Sequence, residues 1–183
     1  VTMVPENRRL FKRLSVKENL QLGAYLRDDK DGIVEDLEKI YDLFPRVKER
    51  LSQKAGTLSG GEQQMVAIGR ALMSRPRVLL MDEPFTGLDY ARRKVLYSVL
   101  YDLWQRSGNT VFCVTHDLDE ALAMATRIVV VVKGQIVVDR RLDKPYPRTP
   151  ETLVGDDVNA IRVDVMHHLE TALVHGGGAS RDK

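Results

Sequence analysis

The sequence is poor in several features that would place it outside the ordinary globular proteins. Its 183 residues include a single cysteine, Cys113, which excludes a disulfide within the chain. Because Cys113 lies in an apolar strand pattern, we expect a reduced core residue of a cytosolic protein. No apolar run reaches the roughly 20 residues of a membrane-spanning helix, and the opening residues show no signal-peptide pattern. We therefore expect any membrane role to run through another protein.

Neither sign of charge is in large excess. The formal net charge is +2, so we expect no nucleic-acid partner. Hydrophobic residues make up 43% of the chain and charged residues 30%, which is typical of a globular domain with a real core. The two basic clusters are interpreted as solvated faces, although Arg8 and Arg9 could also lie near a membrane partner. These clusters are Arg8-Arg9-Lys12-Arg13 and Arg92-Arg93-Lys94.

Residues 57–64 have the composition of a helix start that binds an anion. Ser59, Gly60 and Gly61 precede a helical pattern. The backbone N–H groups in the first turn of a helix have no partner within the helix, and the helix dipole adds positive potential there. Glycine lets a phosphate approach the main chain closely. Taken alone, Ser59 has a simpler interpretation as a plain N-cap.

A short apolar run at residues 78–81 ends in two carboxylates, Asp82 and Glu83. Such runs are typical of buried parallel strands, which present ligand-binding groups at their carboxyl ends. One acid there can hold Mg²⁺, and the next can orient a water molecule. A phosphate-binding helix start, a metal acid and a base, in this order along the chain, predict nucleotide hydrolysis.

In this order the motifs resemble those of the ATP-binding-cassette (ABC) ATPase family. The resemblance extends from residue 1 to about residue 150. It implies an α/β fold of the P-loop NTPase kind, with a parallel-sheet core and a helical subdomain, truncated at the N-terminus. The motif residues are Leu58, Ser59, Gly60, Gly61 and Glu62 in the signature, Asp82 and Glu83 in Walker B, Gly87, Leu88 and Asp89 in the D-loop, and His116 at the switch position.

The resemblance implies a role for each motif. ATP with Mg²⁺ would lie between two subunits, and the signature of one subunit would close on the ATP of the other. Asp82 would hold Mg²⁺, Glu83 would polarise the attacking water, and His116 would contact the γ-phosphate and that water. Asp89 would join the two sites across the interface.

The resemblance also implies partners and a location. The partners are a second ABC ATPase subunit, in a homodimer or a heterodimer, membrane permease subunits and, indirectly, a solute-binding protein. The expected function is ATP binding and hydrolysis by an ABC importer subunit that powers uptake of a small polar solute. The expected location is the cytoplasmic face of the inner membrane, with the protein bound peripherally.

Glu6 occupies the position where the family usually has the Q-loop glutamine, which senses Mg²⁺ and faces the transporter. A surface-loop acid is the simpler interpretation of Glu6. It follows an apolar stretch that Pro5 breaks, and residues 4–11 resemble ATPases of branched-chain amino acid importers.

An all-helical segment is predicted between about residue 15 and residue 75. Ser15 and Glu18 have the spacing of a capping box, and Pro45 is expected to end the second helix. In the family, a helical subdomain at this position docks on the permease. The expected apolar faces are Leu20, Leu22, Tyr25 and Leu26, then Ile33, Leu37, Ile40, Tyr41 and Phe44, then Met65, Ile68 and Leu72.

The second half of the chain resembles a different group of importers. A buried strand at residues 110–115 is expected to deliver His116, and Asp117 is expected to cap a helix. Two strands around Lys133-Gly134 predict a hairpin. From residue 85 to residue 148 the motifs look like ATPases of nitrate, sulfonate and taurine importers. The two halves of the chain therefore resemble different groups of importers, with the change near Walker B. A recombinant, a designed chimera or a divergent natural sequence would each give this pattern.

The predicted domain organisation has a boundary near residue 150. Residues 1–150 are assigned to a partial ABC ATPase domain, whose Walker B to switch-histidine core spans residues 76–140. Residues 151–183 are predicted to form an amphipathic helix and a disordered tail. The expected apolar stripe of that helix is Val158, Ile161, Val165, Leu169 and Leu173, while His167, His168 and His175 lack a convincing metal-ligand spacing.

One further absence bears on whether the chain is catalytic by itself. The pattern Gly-x-x-x-x-Gly-Lys-Ser/Thr, which forms a phosphate loop, does not occur in the sequence. We therefore interpret the chain as the C-terminal part of an ABC ATPase that is inactive by itself. A non-catalytic partner module that offers only its signature face, and an ABC ATPase without a transport role, remain as alternatives.

Overall fold

The structure is a computed structural model, and it describes residues 1–149 and 151–176. The predicted disordered tail lies outside these residues. The helices are α1 (Val16–Leu22), α2 (Lys30–Leu43), α3 (Pro45–Lys48), α4 (Gly60–Leu72), α5 (Tyr90–Ser107), α6 (Leu118–Met124) and α7 (Asp156–Gly176). The strands are β1 (Thr2–Val4), β2 (Val78–Asp82), β3 (Thr110–Val114), β4 (Arg127–Val132) and β5 (Gln135–Arg141).

Two compact units make up the chain, the first ending at His116 and the second beginning at Asp117. The predicted boundary near residue 150 remains a prediction. In the first unit, a parallel sheet has the order β1-β2-β3. Met81 is opposite Cys113 and Asp82 is opposite Val114, so β2 and β3 end side by side. This parallel sheet with helices confirms the predicted α/β fold class.

The helices of the first unit pack around α4. Ser15 caps α1 with the predicted capping box, in which Glu18 bonds back to the Ser15 backbone. A Cβ added to Gly69 would lie 2.9 Å from Leu20 Cδ2 and 3.1 Å from Ile40 Cγ2. Glycine at this position therefore lets α1 and α2 approach the backbone of α4.

One prediction for the helical segment is wrong and another is confirmed. The segment after Leu22 turns away from the helix, so Tyr25 and Leu26 are 80% and 92% exposed and do not extend an apolar face. As predicted, the second helix ends just before Pro45: α2 closes at Leu43 with Phe44 as its C-cap, and Pro45 then occupies the first turn of α3. Proline is favourable at that position because the first backbone N–H groups of a helix need no helical partner.

The prediction of a buried strand at residues 110–115 is also wrong. Among the described residues β3 is the last strand in the order β1-β2-β3, and Phe112 and Val114 are 59% and 52% exposed. Cys113, predicted to be a core residue, is exposed as well. An apolar run alone cannot distinguish a central strand from one that pairs on a single side.

The second unit has a separate apolar core. β4 and β5 form the predicted antiparallel hairpin, with an irregular register between Val130 and Val131. Arg148 is buried and donates hydrogen bonds to the carbonyl oxygens of Leu122 and Leu142. The core includes Leu122, Ile128, Val138, Leu142, Leu153, Val158, Ile161 and Val165. Val158, Ile161 and Val165 of the predicted α7 stripe therefore lie in it, whereas the side chains of Leu169 and Leu173 are outside the described part of the structure.

None of the helices within the described residues has the length and apolarity that crossing a membrane requires.

Candidate functional site

The start of α4, where the predicted signature lies, is fixed by local contacts. Ser59 is the N-cap: its Oγ accepts a hydrogen bond from the Glu62 backbone N–H at 3.4 Å, and its own N–H donates to Glu62 Oε2 at 2.9 Å. Arg50 Nε lies 2.7 Å from Glu62 Oε1. Burial raises the pKa of the Glu62 carboxyl, but the Ser59 hydrogen bonds and the Arg50 charge outweigh that effect, and the net pKa is lowered.

Two guanidinium side chains lie against the glycines of this helix start. A Cβ added to Gly60 would lie 3.4 Å from Arg8 Nη2, and one added to Gly61 would lie 3.1 Å from Arg92 Cδ. The glycines thus make room for both arginines beside the first turn. The helix dipole places positive potential where a phosphate group would approach.

The carboxyl end of β2 holds the predicted acids. Asp82 is the last residue of the strand and is partly buried. Glu83 follows with φ of 47°, a conformation that is uncommon for a residue with a side chain. Its backbone N–H donates to Val114 O at 2.9 Å. The strained turn at Glu83 is therefore held by the end of the neighbouring strand.

Glu83 and His116 are in direct contact. Glu83 Oε1 lies 2.7 Å from His116 Nδ1 and accepts a hydrogen bond from the His116 backbone N–H at 3.0 Å. The other oxygen, Oε2, accepts from Thr86 Oγ1 at 3.3 Å. The Glu83 side chain is 18% exposed and the His116 side chain 82%. The carboxylate is thus fixed from several sides, while the imidazole can reach a ligand in solution.

The donor set at this end of β2 suits a magnesium ion that arrives with a nucleotide. Among the residues that the structure describes, no three or more His, Cys, Asp or Glu side chains form a metal cluster. Mg²⁺ is usually held by one or two carboxylates together with substrate phosphates and water. The Asp82 carboxylate, beside Glu83 at the open end of the strand, fits this chemistry.

The predicted D-loop connects β2 to α5. Gly87 has φ of 73°, which glycine adopts without strain. Leu88 is buried, whereas Asp89 is exposed and caps α5 through a 2.9 Å hydrogen bond from the Arg92 backbone N–H. The Arg92 guanidinium lies 3.1 Å from the same carboxylate. Asp89 therefore has a structural role in the isolated chain, and its predicted role at a dimer interface stays a prediction.

Glu6 is exposed and precedes a turn of three left-handed residues, Asn7, Arg8 and Arg9. Arg70 of α4 donates hydrogen bonds to the backbone oxygens of this turn. Sequence reasoning placed Arg8 on a solvated face and assigned nothing to Arg70. No motif signals this contact, because more than 60 residues separate the partners.

The parallel sheet with its helices defines an α/β domain of the P-loop NTPase kind, and comparisons with known proteins agree. Residues 1–86 match the model of the ABC transporter family. The chain is 48% identical over 138 residues to the high-affinity branched-chain amino acid transport ATP-binding protein BraG of Pseudomonas aeruginosa, covering 75% of this chain and 58% of the relative. It is 42% identical over 148 residues to the aliphatic sulfonates import ATP-binding protein SsuB 2 of Rhodococcus jostii, covering 81% and 58%.

A solved structure supports the same assignment. The ADP conformation of an ATP-binding cassette of an ABC transporter superposes with a TM-score of 0.65 at 28% identity, covering 78% of this chain and 60% of that one. The match to the ABC transporter family thus lies in residues 1–86, and the homologues of the chain are ATP-binding subunits of ABC importers. The predicted resemblance to both branched-chain and sulfonate importers is confirmed. The chain spans little more than half the length of these relatives.

Proposed function

We propose that this chain supplies the signature face and the hydrolytic residues of an ABC importer ATPase that powers uptake of a small polar solute. The solute classes suggested by the relatives are branched-chain amino acids and the nitrate, sulfonate and taurine group. The observation that carries the proposal is the Glu83–His116 contact, formed beside Asp82 at the ends of two neighbouring parallel strands.

In this proposal Glu83 is the base. Its carboxylate, oriented by His116 and Thr86, accepts the proton of the water molecule that attacks the γ-phosphate of ATP. His116, which is mostly exposed, contacts the γ-phosphate and the attacking water. Asp82 would hold Mg²⁺, which when bound supplies charge neutralisation on the phosphates. Ser59, with the glycines beside it, would close on the ATP held by a facing subunit.

The proposed partners are a second ABC ATPase subunit and membrane permease subunits, with a solute-binding protein acting indirectly. Exposed apolar side chains support a docking surface: Phe11, just before the helical segment, and Tyr25 and Leu26 within it are all exposed. Exposed large apolar side chains can mark interaction sites when they form a continuous patch. The proposed location follows from this docking, at the cytoplasmic face of the inner membrane.

The test replaces Glu83 by Gln in a complete subunit that carries this segment. The substitution keeps the shape but removes the carboxylate, and loss of a catalytic base typically lowers the rate about 10²–10⁴-fold. ATP binding should be retained. Glu35→Gln, at an exposed position of α2, is the matched control and should leave turnover unchanged. Turnover of the Glu83→Gln variant within about twofold of wild type would show that Glu83 is not the base.

The alternative of a non-catalytic partner module is favoured by one observation, the missing phosphate-loop pattern. We propose that the 183-residue chain alone neither binds ATP tightly nor hydrolyses it, because Asp82 and Glu83 cannot hold a triphosphate by themselves. Isothermal titration with ATP and a phosphate-release assay test this directly. Micromolar affinity with steady turnover would contradict it. Co-purification with a permease, rather than with ribosomes or DNA, separates the importer from an ABC ATPase without a transport role.

A further inference from the structure

A strained turn links the region of Glu6 to the signature helix. Asn7, Arg8 and Arg9 have φ of 61°, 64° and 42°. Each left-handed residue with a side chain costs about 1 kcal/mol or more, so such a turn persists only when surrounding contacts hold it. Arg70 supplies these contacts from α4: its guanidinium donates to Arg9 O at 3.0 Å and to Arg8 O at 3.3 Å. It also lies over the ring of Phe11, 5.7 Å from the centroid.

The side chain of Arg8 leaves this turn in the direction of the hydrolytic residues. Its Nη2 donates a hydrogen bond to Thr86 O at 3.0 Å. Thr86 Oγ1 in turn donates to Glu83 Oε2 at 3.3 Å. A chain of hydrogen bonds thus runs from Arg70 through the turn at Arg8 and through Thr86 to the Glu83 carboxylate.

One atom of Arg8 has an unfavourable position in the folded protein. Arg8 Nε is buried and has no hydrogen-bond partner among the described residues. Leaving a buried donor without a partner disfavours folding by about 1–3 kcal/mol. Arg8 is therefore not placed to maximise its own hydrogen bonding, and a group kept in an unfavourable place often has a functional reason.

We propose that Arg8 is a positioning residue for the hydrolytic step: it fixes the loop at Thr86, and Thr86 in turn orients the Glu83 carboxylate. The proposal rests on the proposed function of Glu83 as the base. It also connects the segment that begins at Glu6 with the reacting end of β2. A displacement of the turn at residues 7–9 would reach Glu83 through two hydrogen bonds.

The alternative is that Arg8 only stabilises the fold. A purely structural contact would change the amount of folded protein, and with it the apparent activity, but not the turnover number of the folded fraction. A positioning contact would lower kcat and leave the KM for ATP nearly unchanged, because it acts on the orientation of the base and not on nucleotide binding.

The test measures kcat and KM for ATP in a complete subunit that carries this segment. Arg8→Ala and Thr86→Val should each lower kcat about three- to tenfold, with KM within about twofold of wild type, which is the range of one lost hydrogen bond. Thr86→Ser keeps the hydroxyl and should restore kcat relative to Thr86→Val. Arg13→Ala, an exposed arginine of the same basic cluster, is the control and should leave both constants unchanged.

A second readout does not depend on turnover. In the 183-residue chain, the backbone amide signals of Glu83 and His116 in ¹⁵N–¹H spectra should shift with Arg8→Ala and with Thr86→Val, but not with Arg13→Ala. If Arg8→Ala does not fold, Thr86→Val and Thr86→Ser still test the proposal at the hydrogen bond between Thr86 and Glu83.

Two failures can be distinguished. If Glu83→Gln abolishes turnover while Arg8→Ala and Thr86→Val behave like Arg13→Ala in both readouts, the positioning role is overturned and the proposed function stands. If Glu83→Gln itself retains turnover, the proposed function fails. The amide shifts then show whether the contact between Arg8 and the Glu83 loop exists.

Discussion

The start of α4 and the end of β2 are held in place in opposite ways. At the helix start, Ser59 and Glu62 satisfy each other within three residues. At the strand end, Glu83 depends on Val114 and His116, which lie more than 30 residues further along the chain. The first site is specified by local sequence, whereas the second exists only when β3 pairs with β2.

The two regions also differ in how deeply their elements are buried. α4 is buried along most of its length and is packed by Leu20 and Ile40. β3, which positions His116, is exposed on both faces along most of its length. The signature face is therefore expected to be the more robust of the two regions, and the hydrolytic end the more sensitive to changes in the sheet.

The packing beneath α4 gives the largest expected effect on stability. Leu20→Ala removes a fully buried side chain that contacts the backbone of α4 near Gly69, and such substitutions typically cost about 2–5 kcal/mol. Leu22→Ala, at a 37% exposed position of the same helix, is the matched control. Urea denaturation followed by circular dichroism compares the two.

If Leu20→Ala lowers the free energy of unfolding no more than Leu22→Ala does, α4 does not depend on this packing. The start of α4 would then be no more robust than the end of β2.

Strong acid should weaken the helical segment through two of its aspartates. Hydrogen bonding to Arg27 lowers the pKa of Asp29 to about 2. Burial raises the pKa of Asp36, but hydrogen bonds from Arg75, Arg27 and Lys39 outweigh it, and the net pKa is lowered. Because these pKa values are depressed in the folded state, their stabilisation is complete above about pH 4 and is lost as the pH falls towards about 2.

The measurement is the urea midpoint as a function of pH, followed by circular dichroism. Asp36→Asn should flatten the fall below about pH 4, because the titrating group is gone. The exposed Asp31→Asn variant is the control and should retain the full fall. Equal slopes in the two variants would show that Asp36 is not the group responsible.

Sequence reasoning succeeded where the determining contacts are close along the chain. The capping box at Ser15 and the N-cap at Ser59 involve residues three positions apart, and the hairpin of β4 and β5 is closed by a two-residue turn. The pairing of β2 with β3 has no such local signal.

The errors arose where distant parts of the chain decide the outcome. Phe112 and Cys113 have the composition of a buried strand, yet exposure depends on which strands lie beside them. The left-handed turn at Arg8 contains no glycine, so local propensity gives no sign of it. It is held by Arg70, a partner that periodicity cannot reveal.

The cap of α4 gives the smallest expected effect. Ser59→Ala removes the Oγ that accepts from Glu62 N–H and should cost about 1 kcal/mol. Ser59→Asp retains a capping oxygen and should cost less. Thermal unfolding of the two variants measures the difference. If the alanine variant is as stable as the aspartate variant, the local contacts do not fix the helix start.

We infer that, in this 183-residue chain without a phosphate-loop pattern, the signature face can act while the Glu83 end cannot complete a site by itself. A mixed dimer with a complete ABC ATPase partner tests this inference most directly. The facing subunit's ATP would meet the helix start at Ser59, whereas the reverse site needs a phosphate loop whose pattern this sequence lacks. A folded, soluble mixed dimer is isolated first, because the exposed edge of β3 is open to aggregation. ATP hydrolysis is then measured with each substitution made only in this chain. We predict that Ser59→Arg, which places a bulky cation at the helix start, silences the dimer, and that Asp82→Asn changes little. If Asp82→Asn abolishes ATP hydrolysis by the dimer while Ser59→Arg leaves it fully active, the assignment of the two faces is wrong.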